Sequence, residues 1–215
     1  MFGTNLDPQA ILARLLIFVV AITIHEFMHA FTAYRLGDPT AARLGRVTLN
    51  PVAHFDPFGF FFTVLLVIGI APIAWGKPVP VNPGNFRNPK RGMLLVAAAG
   101  PLSNLMQAFL FAIPLRFAAD SWSPGVQTLL FTGVTLNVAL AAFNMIPIPP
   151  LDGHKILTGL LPDFWYAILA PMEQYGFAIL LVLIFLPNII GTNIFSAISL
   201  PLQLLLFSYL IPGLF

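Results

Sequence analysis

The sequence contains very little charge for its length. Among 215 residues there are only ten Lys and Arg and eight Asp and Glu, whereas hydrophobic residues make up 58%. A soluble domain of this size needs a charged coat, which this composition cannot supply. Intrinsic disorder is excluded as well, because disordered chains combine low hydrophobicity with high charge. The composition therefore predicts an integral membrane protein.

Cysteine is absent altogether, and basic residues exceed acidic ones only slightly. Without cysteine the chain has no disulfide bond, no thiolate ligand for a metal and no cysteine nucleophile. The net charge of +2 results from a small number of charges and is not a basic surface for nucleic acid. We therefore expect a lipid bilayer around the protein and no nucleic-acid partner.

Long apolar runs are what the sequence has in abundance. A helix that crosses a bilayer needs about 20 mostly apolar residues. Runs near this length predict membrane helices at Leu15–Tyr34, Met93–Leu115, Val126–Ile148, Ala167–Leu186 and Ile194–Leu210. A further apolar run, Phe58–Trp75, is at the short limit. We predict an all-α polytopic membrane protein with about five to six membrane helices and a short β element near residues 45–49.

The run Phe58–Trp75 decides the predicted topology. If it crosses the membrane, the basic residues divide six to four between the two sides. If it dips in and returns, eight of the ten share a side and only Arg14 and Arg116 lie opposite. The positive-inside rule favours the second arrangement, with the eight bases cytoplasmic. Residues 58–75 are therefore predicted to form a re-entrant segment, which is allowed where backbone lines a cavity.

The first apolar span contains an unexpected group of ionisable residues, His25, Glu26 and His29. Ionisable side chains at membrane depth are costly and usually functional. Residues four apart share a helix face, so the two imidazoles can bind one metal ion. Glu26 lies about 100° around the helix, where it can serve as a general base without being a ligand. The alternative is a pair of core histidines with satisfied hydrogen bonds.

A catalytic zinc site typically has three protein ligands. Without cysteine the third must be His, Asp or Glu, and the candidates are His54, Asp56, Asp152, His154 and Glu173. Asp152 is favoured because the three prolines just before it end the preceding helix. Gly153 then permits a turn that aims the carboxylate back into the bundle. The alternative is that Pro-Pro-Leu-Asp-Gly is only a loop turn.

Several other polar residues allow two interpretations each. Asn144 could donate a hydrogen bond to the substrate backbone or the developing oxyanion, or it could hold two helices together. Ser103 and Asn104 present the same choice, and packing is the favoured role. For His54 and Asp56, turn formation is favoured over a contact with the metal site. The β-branched residues of the 45–49 element could bind an extended substrate by strand addition.

The spaced motifs resemble those of the site-2 protease family, which are intramembrane zinc metalloproteases. The family pattern is HExxH followed by NxxPxPxLDG. Residues 25–29 and 144–153 match it at every fixed position, and Gly100–Asn104 is similar to a third family element. The resemblance covers roughly Leu15–Leu157 and implies one Zn²⁺ held by His25, His29 and Asp152.

The same resemblance implies the reaction. Glu26 would activate a zinc-bound water that attacks a scissile carbonyl within or near a membrane segment of a transmembrane protein substrate. The implied type is the minimal prokaryotic one without a PDZ or CBS domain, in the cell membrane, with its active site towards the cytoplasm. We expect one domain over residues 1–215, with a catalytic core at about 11–157 and C-terminal helices at about 164–211. A metal transporter and an inactive relative are the competing hypotheses.

Overall fold

A computed structural model describes residues 7–68, 74–118, 121–190 and 194–210. Within these ranges every regular element is a helix. The α-helices are α1 (Pro8–Arg35), α2 (Thr40–Arg43), α3 (Pro57–Val67), α4 (Pro89–Ala118), α5 (Pro124–Asn144), α6 (Asp152–Leu160), α7 (Tyr166–Ile190) and α8 (Ile194–Leu210). Short 3₁₀ turns lie at Pro51–His54, Pro83–Asn85 and Asp163–Trp165.

Proline marks the start of four of these helices, α1, α3, α4 and α5. The first helical position needs no backbone N–H donor, so proline is tolerated there and its fixed φ suits the helix. Asp7 and Asp56 precede two of these prolines and cap the helices, since their carboxylates accept hydrogen bonds from Gln9 N and Gly59 N. The Asp-Pro pairs in the sequence thus set two helix starts.

Helices α1, α4 and α5 pack side by side and form the centre of the molecule. Between α4 and α5, Ala108 and Ala112 pack against Val134 and Val138. Ile17, Phe18 and Ala21 of α1 pack against Leu136 of α5. Small side chains at these contacts let the helix backbones approach closely, which is how membrane helices associate.

Three helices in the described part of the chain are long and apolar enough to cross a membrane, Pro8–Arg35, Pro89–Phe117 and Pro124–Asn144. They confirm the first three predicted spans. The count of five to six is not confirmed. Helix α3 has 11 residues, which rise only about 16 Å against a hydrocarbon core of about 30 Å. Helix α8 has 17 residues and begins and ends where the sequence predicted.

The chain between α1 and α4 begins and ends at the same end of the bundle. Ala33, near the end of α1, packs against Phe86 and Val96, which flank the start of α4. Within this connection, Lys77 N donates a hydrogen bond to His54 O. The two ends of the segment that contains α3 therefore lie side by side. Part of the predicted re-entrant run, residues 69–73, lies outside the described residues.

The predicted β element at 45–49 is wrong, because these residues form turns and bends without a strand. Arg46 explains how the segment is held instead. Its buried guanidinium donates hydrogen bonds to the carbonyls of Lys77 and Pro78. The Arg46 side chain thus joins its own segment to residues 77–78, a connection that would otherwise require hydrogen bonds between two strands. β-Branched residues favour strands only when a partner strand is in place.

Candidate metal centre and active site

Three side chains from distant parts of the sequence meet inside the bundle. His25 Nε2 lies 3.0 Å from His29 Nε2, and Asp152 Oδ2 lies 3.2 Å from each of these nitrogens. The three residues are only 3%, 8% and 8% exposed. In the described part of the chain they form the one group of ionisable side chains close enough to share a metal ion.

The turn after α5 carries Asp152 to the histidines. Helix α5 ends at Asn144, the backbone turns through the proline-rich residues, and α6 begins at Asp152. Gly153 packs so closely on this turn that an added Cβ would lie 2.3 Å from Met145 O and 2.4 Å from Ile146 O. Only glycine allows α6 to start here. The structure therefore brings Asp152, and not His54, Asp56, His154 or Glu173, to the histidine pair.

Helix α4 forms the wall behind the two imidazoles. An added Cβ at Gly100 would lie 2.4 Å from His29 Nε2 and 2.6 Å from His25 Cε1. Real Cβ atoms do not approach other atoms so closely, so a side chain here would displace the histidines. The glycine of the third sequence element is thus explained by the close approach of α4 to the site.

The hydrogen bonds of the imidazoles show that the cluster suits a cation. His29 Nδ1 lies 2.7 Å from Val96 O, and a carbonyl only accepts, so Nδ1 donates and the neutral ring leaves a lone pair on Nε2. His25 Nδ1 lies 2.6 Å from Asn104 Oδ1 and is placed in the same way. Asp152 Oδ2 is buried and has no hydrogen bond within the described part of the chain. Three acceptors therefore face one another, an arrangement that a metal ion stabilises.

Glu26 lies next to this cluster without joining it. Its side chain is mostly buried and lines a cavity of about 330 Å³ together with His25, His29 and Asp152. The returning segment at Trp75 and Gly76 forms another wall of the cavity. The structure thus places a carboxylate beside the candidate metal position, on the wall of the same cavity.

Asn144 lines the same cavity. Its amide Nδ2 donates a hydrogen bond to Leu140 O one turn back in the same helix. Among the described contacts this bond joins no other helix. Both predicted roles of Asn144 therefore remain predictions.

His54 and Asp56 serve the turn, as the sequence predicted. His54 Nε2 donates to Thr48 O at 2.8 Å, and its Nδ1 faces an Nη atom of Arg46 at 3.4 Å. Burial and the Arg46 charge both lower the pKa of His54, while the Thr48 contact acts in the opposite sense. Asp56 caps α3. Neither residue reaches the metal cluster.

His154 and Glu173 lie outside the metal cluster and form a loose pair. The His154 Nδ1 to Glu173 Oε1 distance is 3.9 Å, and both residues line a larger open cavity of about 840 Å³. Lys155 borders both this cavity and the one that contains Glu26.

Sequence reasoning missed a second buried charge, which organises the loops at the end of the bundle. Asp38 accepts hydrogen bonds from Thr40 N and Oγ1, Asn82 N and Asn85 Nδ2, at 2.5–3.1 Å. We call Asp38, Thr40, Asn82 and Asn85 the loop cluster. Burial raises the pKa of Asp38, but these hydrogen bonds outweigh it and lower the pKa below its usual value. Asp-Pro-Thr is a turn signal that could have revealed the local part of this cluster.

Comparison with known proteins agrees with the geometry. Residues 113–187 match the profile of Peptidase family M50. The chain is 39% identical over 188 residues to "Putative zinc metalloprotease YwhC" of Bacillus subtilis (strain 168), covering 84% of each protein. It is 33% identical over 178 residues to "Putative zinc metalloprotease Rip2" of Mycobacterium tuberculosis (strain H37Rv), covering 80% of this chain and 66% of that relative.

An archaeal relative is also similar. "Putative zinc metalloprotease MJ0611" of Methanocaldococcus jannaschii is 30% identical over 172 residues, which is 75% of this chain and 80% of the relative. No solved structure matches the chain significantly. The names of the relatives imply Zn²⁺ as the metal, and the cluster of His25, His29 and Asp152 offers a suitable ligand set.

Proposed function

The chain belongs to peptidase family M50, the site-2 protease family, and we propose that it is an intramembrane zinc endopeptidase. It would hydrolyse peptide bonds within or near the membrane-spanning segments of other proteins. The observation that carries this proposal is the position of the cluster. Two imidazoles and a carboxylate converge around α1, a helix of membrane-spanning length, and Glu26 lies beside them in an accessible cavity.

One Zn²⁺ would be held by His25, His29 and Asp152. When bound, it supplies Lewis acidity to polarise a carbonyl and to acidify water. Glu26 accepts the proton of the attacking water and returns it to the leaving amine. Asn144 has a further amide hydrogen beyond the one bonded to Leu140 O, and it can donate that hydrogen to the substrate backbone or to the developing oxyanion.

The membrane arrangement is part of the proposal. If α1 and α4 both cross, the connection between them starts and ends on one side, and residues 58–75 re-enter rather than cross. The hydrogen bond from Lys77 N to His54 O supports this reading. Eight basic residues then share a side, which we assign to the cytoplasm of a prokaryotic cell. The catalytic core spans about residues 11–157, and α7 and α8 complete a single domain.

The decisive test replaces Glu26 with Gln in a cleavage assay with a membrane-span reporter. Glu26→Gln removes the base but keeps the shape of the side chain, so cleavage should fall about 100-fold or more. Zinc content and the far-UV circular dichroism spectrum should remain those of wild type. Retained cleavage by Glu26→Gln would overturn the mechanism.

The same preparation distinguishes the competing functions. Proteoliposomes that contain wild-type protein should cleave the reporter and show no zinc flux. A zinc flux without cleavage would indicate a transporter. Stable binding of the reporter without cleavage by wild type would indicate an inactive relative.

A further inference from the structure

We infer that Asn104 and Asn137 are positioning residues that fix the tautomer of His25, and that the backbone carbonyl of Gly133 sets their orientation. The inference rests on the metal site of the proposed function and deepens it. Neither asparagine lies in the ligand set, and Asn137 belongs to no motif. Both are completely buried in the centre of the bundle.

These two asparagines, His25 and the Gly133 carbonyl form one continuous chain of three hydrogen bonds across three helices. His25 Nδ1 on α1 lies 2.6 Å from Asn104 Oδ1 on α4. Asn104 Nδ2 lies 2.9 Å from Asn137 Oδ1 on α5. Asn137 Nδ2 lies 2.9 Å from Gly133 O one turn earlier in the same helix. The chain therefore begins at a backbone carbonyl and ends at a metal ligand.

The carbonyl determines the direction of every bond in this chain. Gly133 O can only accept, so the amide nitrogen of Asn137 faces it and the amide oxygen faces Asn104. That oxygen accepts from Asn104 Nδ2, which leaves Asn104 Oδ1 to accept from His25. His25 must then carry its proton on Nδ1, and Nε2 presents a lone pair towards His29 and Asp152. This is the tautomer that a metal ligand requires.

Without this chain the metal-free site would favour the wrong tautomer. An Asn104 amide that is free to turn over can present Nδ2 to His25 Nδ1. The imidazole proton would then move to Nε2, where Asp152 Oδ2 lies 3.2 Å away and accepts it. That arrangement satisfies the carboxylate but blocks the metal ligand. Asn137 prevents it by holding the Asn104 amide in one orientation.

The two histidines thus reach the same state by different means. His29 Nδ1 donates directly to Val96 O on α4, so no intermediary is required. His25 Nδ1 instead donates to Asn104 Oδ1, and two amides in series link it to Gly133 O. Such outer contacts typically change metal affinity about 10- to 100-fold, whereas asparagines that only hold helices together would change stability alone.

The test measures zinc affinity by chelator competition in detergent, together with the ¹⁵N shifts of the histidine ring nitrogens in the metal-free protein. Asn104→Leu should weaken zinc binding by about 100-fold, and Asn137→Leu should weaken it by about 10-fold. Both should move the His25 proton from Nδ1 to Nε2. Gln107→Leu is the matched control, since Gln107 is a buried amide on α4 with no hydrogen-bond partner among the described residues. It should change neither quantity.

A carboxylate partner of similar shape provides the rescue for His25. Asn104→Asp keeps an oxygen that can only accept, so it should retain the Nδ1 proton and bind zinc better than Asn104→Leu. Adding Asn137→Leu to Asn104→Asp should weaken zinc binding less than the same change does in wild type, because no amide remains to be oriented. This non-additivity is specific to orientation, and purely structural roles do not predict it.

The outcomes separate this inference from the proposed function. If Asn137→Leu keeps wild-type zinc affinity and the Nδ1 proton, or loses no more affinity than Gln107→Leu, the inference is wrong while the peptidase proposal stands. Suppose instead that the wild-type protein binds no zinc, while Asn137→Leu still moves the His25 proton from Nδ1 to Nε2. The positioning chain is then supported and the zinc mechanism fails.

Discussion

The metal centre and the loop cluster both bury charge, but they differ in the balance of donors and acceptors. At the metal centre three acceptor atoms, on His25, His29 and Asp152, lie within 3.2 Å of one another. At the loop cluster the Asp38 carboxylate is surrounded by donors. A buried acceptor without a donor is costly, so the first site needs a cation and the second is complete. Hydrogen-bond balance, rather than charge alone, distinguishes a binding site from a structural one.

The largest effect should come from removing the carboxylate of the metal centre. Asp152→Asn replaces a metal-binding carboxylate with a neutral amide, so we expect zinc binding to weaken at least about 100-fold and cleavage to fall to background. The fold should persist, because the change relieves facing acceptors. Zinc content after dialysis and the melting temperature in detergent measure the two results. Asp152→Asn protein that keeps one zinc per chain would break the comparison.

A smaller effect should follow from crowding the metal centre. Gly100→Ala places a methyl group within 2.4 Å of His29 Nε2, so the imidazoles must shift and zinc affinity should fall by about 10-fold or more. Zinc competition with a chelator measures it. Gly125→Ala is the matched control, because its added Cβ has nothing nearer than Gln9 Oε1 at 3.7 Å. Equal affinities for the two variants would show that α4 does not confine the histidines.

The smallest effect should come from the loop cluster and should appear in stability rather than chemistry. Asp38→Asn turns one acceptor of the carboxylate into a donor that faces other donors. The free energy of unfolding should fall by about 2 kcal/mol, while the zinc affinity of the folded protein stays unchanged. Chemical denaturation in detergent, with the zinc competition assay beside it, checks both statements.

The unfolding free energies of wild type and Asp38→Asn should also differ in their dependence on pH. The pKa of Asp38 is lowered in the folded protein, so its stabilising contribution is complete above the unfolded value of about 3.9 and is lost as the pH falls through the folded pKa. The difference in unfolding free energy between wild type and Asp38→Asn should be constant near neutrality and shrink below about pH 4. A difference that grows in acid would contradict the assigned hydrogen bonds.

Much of the fold could be predicted from the sequence, because membrane helices follow local composition. The first three spans were predicted to within a few residues at most ends, and α8 at both ends. Caps at Asp7 and Asp56 and prolines at helix starts are local signals as well. The strand near 45–49 was wrong because strand formation depends on a partner, and Arg46 takes the place of that partner.

The candidate site divides in the same way. His25, Glu26 and His29 share one helix turn, so spacing alone was sufficient to group them. Asp152 was favoured over the other candidates by the prolines before it and by Gly153, but it lies 123 positions after His29, so only the structure shows that the two side chains meet. Nothing in the sequence around Asn137 indicates a link to His25, and that link exists only because α4 and α5 pack in one register.

By itself, the sequence determined that the chain lives in a bilayer, where its main spans lie and which residue types could bind zinc. These properties depend on composition and on spacing within one helix, so they can be inferred without knowing which helices pack together. Only the tertiary structure decided that three acceptors face one another while Asp38 is fully hydrogen-bonded, and that a carbonyl on α5 orients an imidazole on α1. Such distinctions depend on distances of a few ångströms between helices, which packing alone establishes.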